Sequence, residues 1–104
     1  MIITSTETIT GRNIKKNLGL VRGNMIRARH IGNDILAVLR NIVGGEVKEY
    51  TKMISEARED ALDKMVEEAE KLGADAVVNV RFSTSQVMGG AAEILAYGTA
   101  VELE

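Results

Sequence analysis

The chain has 104 residues, of which 45% are hydrophobic and 27% charged, with a formal net charge of −2. That length suits a single domain, residues 1–104, able to bury roughly two-thirds of its unfolded surface, and the composition excludes both a disordered tail and a membrane protein. There is no cysteine, so disulfides, iron–sulfur clusters, thiolate zinc sites and cysteine nucleophiles are excluded for want of the atom they need.

The opening residues Met1 to Glu7 lack the basic start and apolar stretch of a secretion signal, which reads as a cytoplasmic protein. Ile2 to Ile9 can add a short edge strand. From Ile14 to His30, short alternations such as Leu18, Leu20 and Arg22 against Gly19, Val21 and Gly23 predict a long bent strand, broken near Gly23, where glycine inside such a run marks a bulge or a close backbone approach. From Asn33 to Val43, apolar residues at three- and four-residue steps predict a short buried helix, N-capped by Asn33 or Asp34 and stopped by Gly44-Gly45. A second, long helix follows over Glu46 to Leu72, with Val47, Tyr50, Ile54, Ala57, Ala61, Met65, Ala69 and Leu72 as one apolar stripe. Its outer face offers Asp60 to Lys64 and Glu67 to Lys71 as i to i+4 pairs, and Gly73 ends it.

Val78, Val80 and Phe82 then alternate with Asn79, Arg81 and Ser83, Met88-Gly89-Gly90 supplies a hairpin turn, and Glu93 to Leu103 alternates again. Ala92, Ala96, Gly98 and Ala100 leave one face of that last strand small, so that a helix or a neighbouring subunit can lie close, and the strand is expected to be covered on both sides. The order β-α-α-β-β predicts an α+β fold of two layers, an antiparallel sheet with two helices on one face.

Charge is divided unevenly. Residues 1–45 carry seven basic side chains against Glu7 and Asp34, a net +5, while the remainder carries six basic and 13 acidic, a net −7. Opposite charge on one domain either cancels internally or makes two complementary faces, and complementary faces on identical chains favour head-to-tail contacts that close into a ring or grow into a fibre.

No constellation of catalytic residues stands out. His30 is the only histidine and the weak candidate for a metal ligand, with Asp34 one helical turn away, whereas metal sites need three or four converging donors. The five methionines do not cluster, and Met53 and Met65 fall on the apolar side of the long helix, where they fill core space. The carboxylates of Glu56, Glu59, Asp60, Asp63, Glu67, Glu68 and Glu70 read as a solvated helix face. Ser83-Thr84-Ser85 has no histidine in register to activate a hydroxyl, and Gly89-Gly90 does not open a helix as a phosphate-binding loop does. Arg22, Arg27, Arg29 and Arg40 could meet phosphates, but three aromatics and an acidic balance make nucleic acid the minor alternative to salt bridges between subunits.

Four segments together resemble the YbjQ family of small bacterial and archaeal proteins: Asp34 to Gly45, Tyr50 with Ala57-Arg58-Glu59, Leu72 to Val78, and Ala96 to Val101. The resemblance covers nearly the whole chain. It implies a dodecin-like subunit, a ring-shaped homopentamer, no enzyme, no cofactor, and a heavy-metal-binding label that makes a small ligand or metal ion the alternative partner to self. Arg40 and Arg58, each inside a matching segment beside apolar residues, are expected in structural ion pairs. The function expected is therefore a ring-forming binding or scaffold protein, with metal handling as the alternative.

Overall fold

A computed structural model describes residues 1–27, 48–87 and 91–104. Among them are strand β1 (Ile2–Ile3), strand β2 (Ile14–Arg27), helix α1 (Lys48–Lys71), strand β3 (Ala76–Val87) and strand β4 (Ala91–Leu103). They form one four-stranded sheet in the order β1-β3-β4-β2. β4 is antiparallel to both neighbours, while β1 runs parallel to β3. The fold is α+β as expected, but the sheet is mixed rather than wholly antiparallel, because the chain start returns beside the chain segment that leaves the helix. The expected helix over Asn33 to Val43, the turn at Met88-Gly89-Gly90, His30, Arg29 and Arg40 all lie outside the described residues, and one helix is present among those described.

α1 forms where the periodicity places it. Ala57, Ala61, Met65 and Ala69, spaced by four, are fully buried, with Ile54 and Leu62 beside them. Leu72 belongs to the same stripe but is 47% exposed, since it follows the last helical residue. The C-terminus closes by the Schellman pattern: Ala74 N donates to Ala69 O at 3.1 Å and Gly73 N to Glu70 O at 3.0 Å, with Gly73 at φ 75°. Neither i to i+4 pair forms as an ion pair. Asp60 accepts instead from Arg27 Nη2 of β2, because that guanidinium reaches across the layer and the lysine stays in solvent.

Helix and sheet come into backbone contact at Gly23. A Cβ there would lie 2.5 Å from Met65 N and 2.7 Å from Lys64 Cβ, and against the carbonyl of Ala61. Gly23 is therefore the point where two backbones meet. The irregularity in β2 sits earlier, in register shifts between Ile14 and Lys16 and between Asn17 and Gly19, with Gly19 at φ 116°.

The strict alternation expected through Val78, Val80 and Phe82 breaks at Asn79. Its φ of 54° and a register shift between Val78 and Arg81 mark a bulge, and one inserted residue reverses the faces. Val80 consequently packs into the cluster under α1, while Val78 joins Ala76, Val101 and Leu103 on the opposite side of the sheet. That second cluster is covered by Ile9 and Ile14. The N-terminal segment follows the bulge through Thr4 N to Val77 O, Val80 N to Thr4 O and Asn79 N to Thr6 O, each 3.0 Å. Asp75 ties the same end together, its Oδ2 accepting from Leu103 N at 2.9 Å while its own N–H donates to Val101 O.

Candidate functional site

The N-terminal cover stops at the bulge, and beyond it α1 is the one described element packed on the sheet. The other face is built from residues that alternate with the helix-facing ones, aligned in rows by the pairing of β2, β4 and β3: Arg22–Tyr97–Arg81, then Asn24–Leu95–Ser83, then Ile26–Glu93–Ser85. Leu20, paired with Thr99 just below, is 67% exposed and Ile26 is 58% exposed. The β4 residues of this face are half-buried and those of β3 exposed. Among the described residues nothing lies over it. β4 was expected to be covered on both sides; among the described residues, cover on the face opposite α1 reaches Val101 and Leu103.

Two features border this face. Arg81 is held by the N-terminal segment, its Nη1 donating to Ser5 O at 2.8 Å and to Val80 O at 2.9 Å. On the far side of β2, a groove of about 260 Å³ separates the strand from α1 and is lined by Arg22, Gly23, Asn24, Lys64, Glu67, Glu68 and Lys71. Three basic and two acidic side chains mix there, so the groove is close to balanced in charge and presents no single-sign patch.

The residues singled out in the sequence separate into different places. Arg22 stands on the open face, whereas Arg27, paired in register with Ala92, lies on the helix side and binds Asp60, so the two do not form one phosphate-binding patch. Arg58 is exposed and, contrary to expectation, makes no ion pair among the described residues, because it points from the outer side of α1. From Glu56 to Glu70 the carboxylates of α1 are exposed apart from Asp60. No group of three or more histidine, aspartate or glutamate side chains that could hold a metal ion occurs among the described residues. No described helix is long and apolar enough to cross a membrane. The open face went unseen in sequence reasoning, whereas at Gly23, where glycine inside a strand marks a bulge or a close backbone approach, the close approach is what forms. A polar asparagine inside the apolar run Val77 to Val80 was the one local signal of the bulge that ends the covered region.

The whole chain, residues 1–104, matches the family model YbjQ_1, described as "Putative heavy-metal-binding". The chain belongs to the YbjQ family. Similar relatives are UPF0145 proteins from Methanosarcina acetivorans, 64% identical over 103 residues covering 99% of this chain and 97% of that protein, and from Thermosipho africanus, 58% identical over 104 residues covering 100% and 96%. Among solved structures, a DUF74-family protein of unknown function from Pediococcus pentosaceus is similar in fold, with a TM-score of 0.63 at 19% identity, covering 100% of this chain and 98% of that one. The family members that match are thus of this chain's own length, and the fold recurs at low identity.

Proposed function

We propose that this family member is a binding or scaffold protein that works as a closed homo-oligomer. The observation that carries the reading is the half-covered sheet: three long strands extend past the N-terminal cover, exposing Leu20 and Ile26 on a face with α1 only behind it. A sheet face that mixes exposed aliphatic side chains with Tyr97, Leu95 and arginine has the composition of an interface core with a polar rim. The opposite charges of the two chain halves favour joining unlike surfaces, and identical chains joined that way either close or polymerise. The family resemblance points to five subunits. Catalysis is not part of this reading, and the cytoplasm is the compartment proposed.

Native mass spectrometry across a concentration series tests it. A discrete oligomer that persists at high salt is expected, because apolar contacts survive when screening weakens exposed charge pairs. A monomer at micromolar protein would overturn the reading. The family's metal description leads to a second measurement: calorimetric titration with zinc, copper or cadmium is expected to show no stoichiometric site. A site of micromolar or better affinity, lost in His30→Ala, would replace the scaffold by metal handling.

A further inference from the structure

Resting on the oligomeric reading, the geometry points to a particular joint: the upper half of the β2 edge, Leu20 to Arg27, pairs in parallel with the outer edge of β3, Phe82 to Ser85, from a second copy of this chain. β2 is the last strand of the sheet, and among the described residues its outer edge has no partner strand along all 14 residues. The two halves of that edge differ. Its lower half carries Lys15 and Lys16, two register irregularities and Gly19 at φ 116°, which are the devices by which edge strands avoid pairing. Its upper half is regular in register, has no lysine, and exposes Leu20 and Ile26. The edge is guarded below and unguarded above.

Charge selects the partner strand. β2 holds Lys15, Lys16, Arg22 and Arg27 and no acidic residue, so antiparallel pairing of β2 with β2 of a copy would set cations against cations. On the opposite side of the sheet, β1 and the segment after it cover β3 only as far as Val80. Phe82, Ser83, Thr84 and Ser85 beyond them carry no charge and are exposed. β2 and β3 are both antiparallel to β4 and so run in the same direction. Copies related by rotation about an axis along the strands keep that direction, so β3 of one meets β2 of the next in parallel, and the repeat closes.

The absence of native cysteine makes disulfide trapping clean. Asn24 and Ser83 occupy one row of the open face with Leu95 between them, about 10 Å apart across two strand spacings, too far for a disulfide within one chain. The chain carrying both Asn24→Cys and Ser83→Cys, or Asn24→Cys and Ser85→Cys to allow a shifted register, should oxidise to a ladder ending at the native oligomer. Singly substituted Asn24→Cys and Ser83→Cys chains refolded together should give a covalent dimer, and neither should do so alone. Covalent dimers of Asn24→Cys alone would overturn the inference in favour of β2 self-pairing. An intact native oligomer with no trapping in any combination would overturn it while leaving the oligomeric reading standing, with capture of a foreign strand by this edge as the alternative it opens. A monomer of the unsubstituted chain would overturn both.

Discussion

The two ends of this sheet are made from the same three strands and are finished differently. At the lower end, Ala76, Val77 and Val78 are buried from both sides, Val77 by α1 and its neighbours by the N-terminal segment through Ile9 and Ile14. That is why the sequence there is continuously apolar instead of alternating. At the upper end, half-buried Glu93, Leu95 and Tyr97 of β4 alternate with buried Ala92, Ile94 and Ala96, as in a sheet with one covered face. Asn79 is the boundary: its bulge turns β3 over, ends the cover, and changes the rule by which side chains are chosen. The lower end closes within one chain, whereas the upper end, among the described residues, is open on one face.

The largest effect expected from breaking this arrangement is at Gly23. An added Cβ meets helix backbone, which cannot swing aside as a flexible side chain does. Gly23→Ala should cost about 3 kcal/mol or unfold the protein, since overpacking against a rigid neighbour lies at the upper end of the usual range. Urea unfolding measures it, and an unchanged midpoint would mean that the two layers are not in contact there.

Two truncations then sharpen the contrast between the ends. Val101→Ala removes methyls from a fully buried position between β2 and β3, and should lower stability by about 2 kcal/mol through lost transfer energy and a cavity. Its effect should not depend on protein concentration. Leu20→Ala, at a position 67% exposed, should change the stability of a dilute sample by less than about 0.5 kcal/mol. At high concentration it should weaken association, and with it the part of the melting temperature that association supplies. Equal effects of the two at all concentrations would remove the distinction between the ends.

Much of the fold was legible because it is local. Ala57, Ala61, Met65 and Ala69 announce α1 by their spacing, Gly73 announces its end by the backbone freedom a Schellman closure needs, and β4 announces itself by alternation. The features that escaped are those decided by distant residues. Gly23 allowed a bulge or a close backbone approach, and it is the helix crossing over it that decides for the approach and requires the missing Cβ. Asp60 has Lys64 one turn away in sequence, yet takes Arg27 from another layer. The parallel β1 depends on where the chain start returns, which no short window contains. The open face was illegible for the same reason: Leu20 and Ile26 read as ordinary strand residues, and only the limit of the N-terminal cover leaves them exposed. His30 gave a histidine without converging partners, so no ligand set could be read from spacing.

At the boundary itself, Asn79 can be tested by shape rather than by size. Its φ of 54° lies in the left-handed region, where a β-branched residue carries a cost of about 1–2 kcal/mol and glycine none. Asn79→Val should therefore lose about that much stability, whereas Asn79→Gly should stay near the parent. If valine is tolerated, β3 has lost its bulge, and hydrogen exchange at Thr4 and Val80, whose amides bond across it, should rise.

The smallest effects expected come from two charged positions of α1: Arg58, read in the sequence as part of a structural ion pair, and Asp60, read as part of a solvated face. Arg58 is exposed with no ion pair among the described residues, and Arg58→Ala should leave the unfolding midpoint within about 0.5 kcal/mol of the parent. Asp60 and Arg27 form a pair whose side chains are 35% and 40% exposed, so water screens the attraction and the pair itself contributes at most about 1 kcal/mol. Yet Arg27 Nε is buried without a hydrogen-bond partner, and removing the carboxylate leaves a partly desolvated guanidinium facing the helix. Asp60→Ala should consequently cost about 1 kcal/mol, the upper end of what such a pair contributes, and Asp60→Asn, which keeps an acceptor oxygen for the arginine, should recover part of it. Salt distinguishes the two contributions, because the Coulombic part falls as the screening length shortens and the hydrogen-bonding part does not. A loss that vanishes entirely in high salt would make the contact a surface ion pair, and a loss that persists would make it the clasp that holds α1 to the upper half of β2.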